Sequence, residues 1–438
     1  MNKAVEKKAI ELALAGSLDD KKKIAGDIFT MAHDAGVYPY SINDFYMARG
    51  RGEFHGFTVP AINLRSMTFY LASAIFRAAR EINAGAFIFE IAKSEMGYTD
   101  QKPIEFASMC LAAALSEGYK GPVFIQGDHF QFNAKKFKAD PGKEIEAIKA
   151  LIKESVSSGF LNIDIDSSTL VDLTKSSILE QQKLNYEMCA EMTEYIRKVQ
   201  PAGVNVSVGG EIGEVGGKNS TPEELSAFMK GYRGIVGSGK TGISKISIQT
   251  GTAHGGVVLP DGTVAKVKLD FDTLKALSKI ARDDFGMAGA VQHGASTLPD
   301  DAFGKFAEVE AAEVHLATQF QNMMYESGRF PQDLRQKMYE WLKVNAADEK
   351  KEGQTEDQFI YKARKKALGP FKKDILGMPD DVKENITADI GRKFGFLFNK
   401  LNIKDTKDLV LKYAPSKPLK FEVSDEGDGV HLDGEGDD

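Results

Sequence analysis

Two rhythms alternate along this chain from Phe57 onward. Short apolar runs, FTVPAIN (57–63), AFIFEIA (86–92), PVFIQG (122–127), FLNIDID (160–166), VNVSVGGE (204–211), ISKISIQ (243–249), AGAVQH (288–293) and AAEVHLA (311–317), are set apart by longer stretches. In the longer stretches, such as SMTFYLASAIFRAAREI and EIEAIKALIKESVSSG, apolar residues recur at helical spacing. The runs read as buried strands and the stretches between them as amphipathic helices. Eight strands alternating with helices within about 260 residues predict an α/β fold closed into a (β/α)8 TIM barrel, in preference to an open doubly wound sheet.

The flanks follow other rules. Residues 1–55 read as an N-terminal helical extension, since AVEKKAIELALAG has helical spacing and ends on a glycine. The catalytic barrel is then expected over 56–325. Beyond it the strand rhythm stops, and 326–415 reads as a charged, helical C-terminal extension. Residues 416–438 form an acidic tail, and FEVSDEGDGVHLDGEGDD (421–438) holds eight acids and no Lys or Arg, a composition expected to be disordered.

Composition narrows the function classes. The 438 residues are 42% hydrophobic and 27% charged, as in an ordinary globular protein, and the formal charge of −7 argues against nucleic acid as a partner. The two cysteines, Cys110 and Cys189, lie outside any C-x-x-C, so no disulfide framework is expected and a reducing cytoplasm fits. The charged N-terminus lacks the apolar core of a signal peptide, and no apolar run nears the roughly 18 residues that span a membrane, so no membrane partner is expected.

A barrel of this kind has one functional mouth, at the carboxyl ends of its strands. Of seven histidines, His129, His254, His293 and His315 fall at or just after predicted strand ends, where Asp166 and Glu211 also close strands. The run VFIQGDHFQFN (123–133) shows the pattern at closest range: an apolar strand stops at Gly127 and gives way to Asp128 and His129 side by side. Strand alternation is expected to send those two side chains different ways. Three imidazoles and a carboxylate converging from separate strands suit a divalent metal; neutral imidazole favours zinc, and a catalytic zinc keeps one position open. Glycines in QGDH, GGEIGEVGG, GTAHGG and QHGAS let backbone amides approach an anion such as phosphate.

Taken in order, these segments resemble the class II, metal-dependent ketose-bisphosphate aldolases, over about residues 57–320. GDHF (127–130) is similar to the family's H-x-D-H strand end, GFLNIDIDSS (159–168) to G-F-x-x-V-M-I-D-x-S, and EIGEVGG (211–217) to E-[LI]-G-x-x-G-G. GTAHGG (251–256) and QHGASTLP (292–299) match G-T-A-H-G and H-G-A-S-x-L-P, and VHLAT (314–318) is similar to V-N-V-A-T. The resemblance implies that His129, Glu211, His254 and His293 bind a catalytic Zn2+, with Glu211 exchangeable and Asp166 an acid beside the metal. It implies that Asp128 handles the proton of the hydroxyl at the bond being broken. It places Asn63, Gly255, Gly294, Ser296 and Thr318 on the substrate and its phosphate. Another divalent metal is a workable substitute, and the resemblance allows a monovalent cation as well. The expected partner is a small sugar phosphate, and the expected assembly a homodimer or larger homo-oligomer.

The chain also departs from that pattern. Gln126 replaces the first His of H-x-D-H, and Gly209 replaces the first Glu of E-x-E, which is expected to open space near the metal. Lys218, Asn219 and Ser220 stand where the family carries loop acids that exchange a substrate proton, and Glu214 is the candidate substitute. His315 takes the place of a substrate-binding Asn. Arg364, in YKARKKALGPFKK (361–373), is the candidate for the second phosphate, supplied to a neighbouring subunit. The expected reaction is cleavage of a ketose bisphosphate, fructose 1,6-bisphosphate first and tagatose 1,6-bisphosphate next, to dihydroxyacetone phosphate and glyceraldehyde 3-phosphate. A ketose 4-epimerase that breaks and remakes the same bond is the alternative enzyme. A non-catalytic aldolase partner subunit is the alternative outside catalysis.

Overall fold

The structure, a computed structural model, describes residues 2–213, 217–237, 239–251, 269–414 and 421. Nine strands form its sheet: β1 (Val37–Tyr40), β2 (Val59–Asn63), β3 (Ile88–Ala92), β4 (Gly121–Gln131), β5 (Asn162–Asp166), β6 (Ser207–Glu211), β7 (Lys245–Ile248), β8 (Ala290–Gln292) and β9 (Glu313–Leu316). Every pairing is parallel, β2 to β9 run in sequence order, and β9 returns to β2, so eight strands close a barrel with helices outside. This is the (β/α)8 barrel that the alternation of apolar runs and helical stretches predicts.

The ninth strand was not legible in the sequence. Residues 1–55, expected as helices, also contribute β1, whose Val37–Tyr40 pair with Gly121–Phe124 of β4. The long β4 then changes partner, pairing with β5 from Gln126 onward. Asn162 covers that junction: its Oδ1 accepts from Ile42 N (2.8 Å) and its Nδ2 donates to Tyr40 O (3.3 Å) and Ile125 O (3.0 Å). The buried backbone groups left by the change of partner are thereby satisfied.

The helices around the barrel start on caps that the sequence spells out. Asn2 and Ser17 accept backbone N–H bonds ahead of Lys3–Leu14 and Leu18–Asp34, and Thr221 with Glu224 forms a capping box ahead of Pro222–Val236. The C-terminal helix Asp380–Lys400 buries Ile386, Ile390, Phe394, Leu397 and Phe398. It lies along Thr68–Glu81, where a Cβ at Gly391 would sit 3.4 Å from Ala74 Cβ. Phe398 stacks near Phe87 at the start of β3, and Thr58 N bonds Leu401 O ahead of β2. The C-terminal helix therefore belongs to the barrel's own hydrophobic shell. The acidic tail, apart from Phe421 against Phe29, falls outside the described residues. No described helix is long and apolar enough to cross a membrane.

Candidate active site at the barrel mouth

The apolar run at β4 does not stop at Gly127 as the sequence suggested; the strand continues to Gln131 through a bulge. From Gly127 to Phe130 the chain takes three steps where β5 takes two, from Ile163 to Ile165. His129 occupies the left-handed region, with φ 40°. A regular strand would turn Asp128 and His129 to opposite faces. The extra residue and the turned backbone instead bring both into the same buried cluster, which corrects the alternation expected from sequence. Gly127 makes room for this, since a Cβ there would lie 2.4 Å from the Phe130 ring.

Asp128 is held from two sides. Its Oδ2 accepts from Asn63 Nδ2 (2.9 Å), and its Oδ1 lies 3.1 Å from His315 Nδ1. Burial pushes this carboxyl up, but the imidazoles of His129, His315 and His293 outweigh burial and hold it well below the usual carboxylate range. It is a carboxylate at neutral pH.

His129 faces His293, with Nε2 and Nδ1 2.6 Å apart. Its Nδ1 lies 3.1 Å from Asp166 Oδ2 and 3.4 Å from Glu211 Oε2. The His293 Nε2 lies 2.9 Å from Ser247 Oγ on β7. His129, Glu211 and His293 each bring one ligand atom to within 4.8 Å of the others. Two imidazoles and a carboxylate, with Asp166 and Ser247 standing behind the rings, could hold a divalent metal ion. The electrostatics agree. Burial pulls the His129 imidazole down, yet Asp128, Glu211 and Asp166 raise it well above its usual value, so this pocket attracts positive charge. Asp166, expected as an acid beside the metal, accepts from Gln131 Nε2 and from the Ser168 N–H and hydroxyl, and lies against the His129 ring.

The expected anion residues gather across the next two loops. Gly294, with φ 66°, leads into the turn Ala295–Thr297, and Ser296 Oγ accepts from Ala317 N (2.8 Å). Thr318 opens the helix Thr318–Glu326, and its Oγ1 accepts from Arg65 Nη1 (3.2 Å). Arg364 stands apart from this group. Its guanidinium donates to Asn322 Oδ1 (2.6 Å) and Glu326 Oε1 (2.8 Å) and stacks between Tyr325 and Tyr361 of its own subunit. Glu214, His254 and Gly255 lie outside the described residues.

Below the mouth the barrel holds charge that the sequence reading overlooked. Lys245 Nζ donates to Asp164 (2.9 Å), Gln126 (2.8 Å) and Glu313 (2.5 Å), and Gln126 Nε2 reaches Glu90 (2.8 Å). Tyr46 bonds the other Glu313 oxygen. His315 spans from Asp128 to Glu313, whose Oε1 is 2.7 Å from its Nε2. Lys245 and His315 overcome burial to hold Glu313 down at about 2, while burial lifts Asp164 to about 6 despite Lys245. Gly209 serves this network: a Cβ there would lie 2.3 Å from Asp164 Oδ1 and 3.0 Å from Lys245 Cε. The space it opens is filled by Asp164 and Lys245. A signal existed in the charged letters inside AFIFEIA, FLNIDID, ISKISIQ and AAEVHLA, each a charge in an otherwise buried strand.

The family model described as fructose-bisphosphate aldolase class-II matches residues 51–370. Among solved structures the chain is similar to a probable tagatose 6 phosphate kinase from Sinorhizobium meliloti 1021, at 16% identity and TM-score 0.55, over 81% of this chain and 98% of that one. It is also similar to the fructuronate-tagaturonate epimerase UxaE from Cohnella laeviribosi, at 13% identity and TM-score 0.51, over 89% of this chain and 85% of that one. A fructose-bisphosphate aldolase from Campylobacter jejuni aligns at 20% identity and TM-score 0.49, over 84% of this chain and 97% of that one. At these identities the likeness is one of fold. No curated protein matches the chain.

Proposed function

The chain belongs to the class II fructose-bisphosphate aldolase family, and on that premise we propose that it is a metal-dependent lyase that reversibly cleaves a ketose bisphosphate. Fructose 1,6-bisphosphate is the first substrate in this reading and tagatose 1,6-bisphosphate the second, with dihydroxyacetone phosphate and glyceraldehyde 3-phosphate as products. The observation that carries the reading is the β4 bulge, which brings the Asp128 carboxylate and the His129 imidazole, on adjacent residues, into one buried cluster.

His129, Glu211 and His293 hold the metal in this reading, with zinc the first choice, and His254 joins them on the family resemblance. When bound, the cation would supply Lewis-acid stabilisation of the charge left beside the ketone. The chain's residues do the rest. Asp128, ionised and held by Asn63 and His315, takes the proton of the C4 hydroxyl as the aldehyde departs and returns it in the reverse direction, while C3 takes the proton that completes dihydroxyacetone phosphate from Glu214, the candidate for that exchange in the sequence. Asp166 fixes the His129 ring by accepting from its Nδ1 through Oδ2. Gly294, Ser296 and Thr318 anchor the phosphate, so that the reacting carbon stays within reach of Asp128.

A second reading, C4 epimerisation by cleavage and rejoining, has its own support. Lys218, Asn219 and Ser220 provide no acid after Gly217, and Asn219 donates to Asp270 (2.9 Å) while Ser220 N bonds Gln249 O. Cleavage and rejoining need no exchange of the C3 proton with solvent. The fold is shared with a protein named as an epimerase and does not decide between the two. Incubating metal-loaded protein with each ketose bisphosphate separates them. Free triose phosphate is the expected result; a C4 epimer without triose replaces the lyase reading with the epimerase; neither product, with about one equivalent of metal bound, favours a non-catalytic subunit.

A further inference from the structure

We infer that Glu95 is a positioning residue that joins the Asp128 carboxylate to the anion end of the site, with Asn63 and Arg65 as its two arms. The inference rests on the reading above, in which Asp128 moves the proton and Thr318 meets the phosphate.

The connection is a continuous chain of hydrogen bonds through buried groups. Asn63, at the end of β2, donates from Nδ2 to Asp128 Oδ2 (2.9 Å) and to Glu95 Oε2 (2.9 Å). Both neighbours are carboxylates, so the amide must present its NH2 to them, and its two protons are both assigned. Glu95 Oε2 also accepts from Ala92 N (2.9 Å), which pins it at the start of the helix Lys93–Tyr98. Its other oxygen accepts from Arg65 Nε. The far side of the same guanidinium, Nη1, reaches Thr318 Oγ1 (3.2 Å) and Gln321 Oε1 (3.4 Å). Having accepted from Arg65, the Thr318 hydroxyl retains its own proton to donate to an anion.

Asn63, Arg65, Glu95, Asp128 and Thr318 are all more than nine-tenths buried, with Glu95 fully so. Water is therefore a poor substitute for any lost bond, and each member is held by its neighbours. Arg65 is suited to its place because a planar guanidinium presents Nε and Nη1 to two different partners at fixed geometry, which an ammonium group cannot do. An anion that orders Thr318 thereby orders Arg65, Glu95, Asn63 and the face of Asp128 that meets substrate.

Glu95→Gln isolates the link. The amide oxygen takes the place of Oε2 and preserves the Ala92 and Asn63 bonds, while its NH2 meets Arg65 Nε, donor against donor. With the ketose bisphosphate as substrate, kcat is expected to fall about tenfold at unchanged metal content, because Asp128 is no longer held against the anion end. Thr318→Val is expected to lower kcat/KM as well, and in the double variant the two losses should not multiply, the total staying within about threefold of the worse single variant. Losses that multiply, or a Glu95→Gln enzyme within about twofold of wild type, overturn the inference. Should Glu95→Gln fail to fold, Arg65→Lys replaces it in the same cycle, with the same two outcomes. If wild type yields neither triose nor epimer, the functional reading has failed on its own. The cycle is then read from calorimetric binding of inorganic phosphate to the metal-loaded protein: losses of affinity that do not multiply support the link, and losses that multiply overturn it.

Discussion

At the scale of single residues, the site is organised by what surrounds each ionisable group. Asp128 and Asp164 are both buried aspartates, yet three imidazoles hold the first ionised while burial lifts the second to about 6. The sign for stability follows. The folded state binds a proton at Asp164 that an ordinary aspartate, near 3.8, has already released, so stability falls as pH rises from about 4 to about 6. Glu313, held near 2, acts oppositely and at lower pH, its stabilisation being lost as pH falls from 4.5 toward 2. Asp164→Asn should therefore flatten the decline in stability between about pH 4 and 6. Denaturant midpoints of metal-free protein across that range check it, and an unchanged slope would show that Asp164 titrates normally. His315 is the residue whose identity changed most in meaning: as a letter it was a replaced Asn, but as a side chain it bridges Asp128 to Glu313. No sequence pattern specifies that bridge, because its partners come from β4 and from two residues upstream on its own strand.

At the scale of elements, the decisive feature is the bulge in β4. Its location was legible, since an apolar run broke at Gly127-Asp128-His129, but its geometry was not, because a one-residue register shift shows only when β5 is laid beside it. The sequence reading ended the strand there and parted the two side chains, whereas the strand continues and gathers them. Gly127→Ala tests this element directly. The added Cβ would overlap the Phe130 ring at 2.4 Å, so the strand must straighten or the ring must move. A loss of about 1–3 kcal/mol in unfolding free energy and weakened metal binding are expected. Wild-type midpoint and metal stoichiometry would mean that the bulge does not depend on this glycine. β1 was missed for a related reason. VYPY is four residues long and carries a proline, and it becomes a strand because β4 begins five residues before β5 can pair with it. The eight barrel strands were legible because each is a short apolar run bounded by turn residues, and His129, Glu211 and His293 come together because barrel strand ends converge on one mouth.

At the scale of the whole molecule, the barrel interior is divided between two demands. Its mouth gathers imidazoles and carboxylates from β4, β6, β8 and β9 around a place for a cation. Its middle sets Lys245 against Asp164 and Glu313 and His315 against Glu313, and Gln126 donates to Glu90 and Glu313. The helix Asp380–Lys400 belongs to the same body as the barrel, since its five buried apolar residues lie along Thr68–Glu81 and it meets the residues just before β2 and β3. Arg364, expected to reach a neighbouring subunit, is committed within its own chain to Asn322 and Glu326. In the proposed mechanism Asp128 moves the proton while its neighbour His129 holds the metal. Metal content and turnover of Asp128→Ala, measured on the same preparation, test it most directly. The mechanism predicts about one equivalent of bound zinc, as in wild type, with ketose-bisphosphate turnover lower by about 10²–10⁴-fold. An Asp128→Ala protein that retained full activity would contradict it.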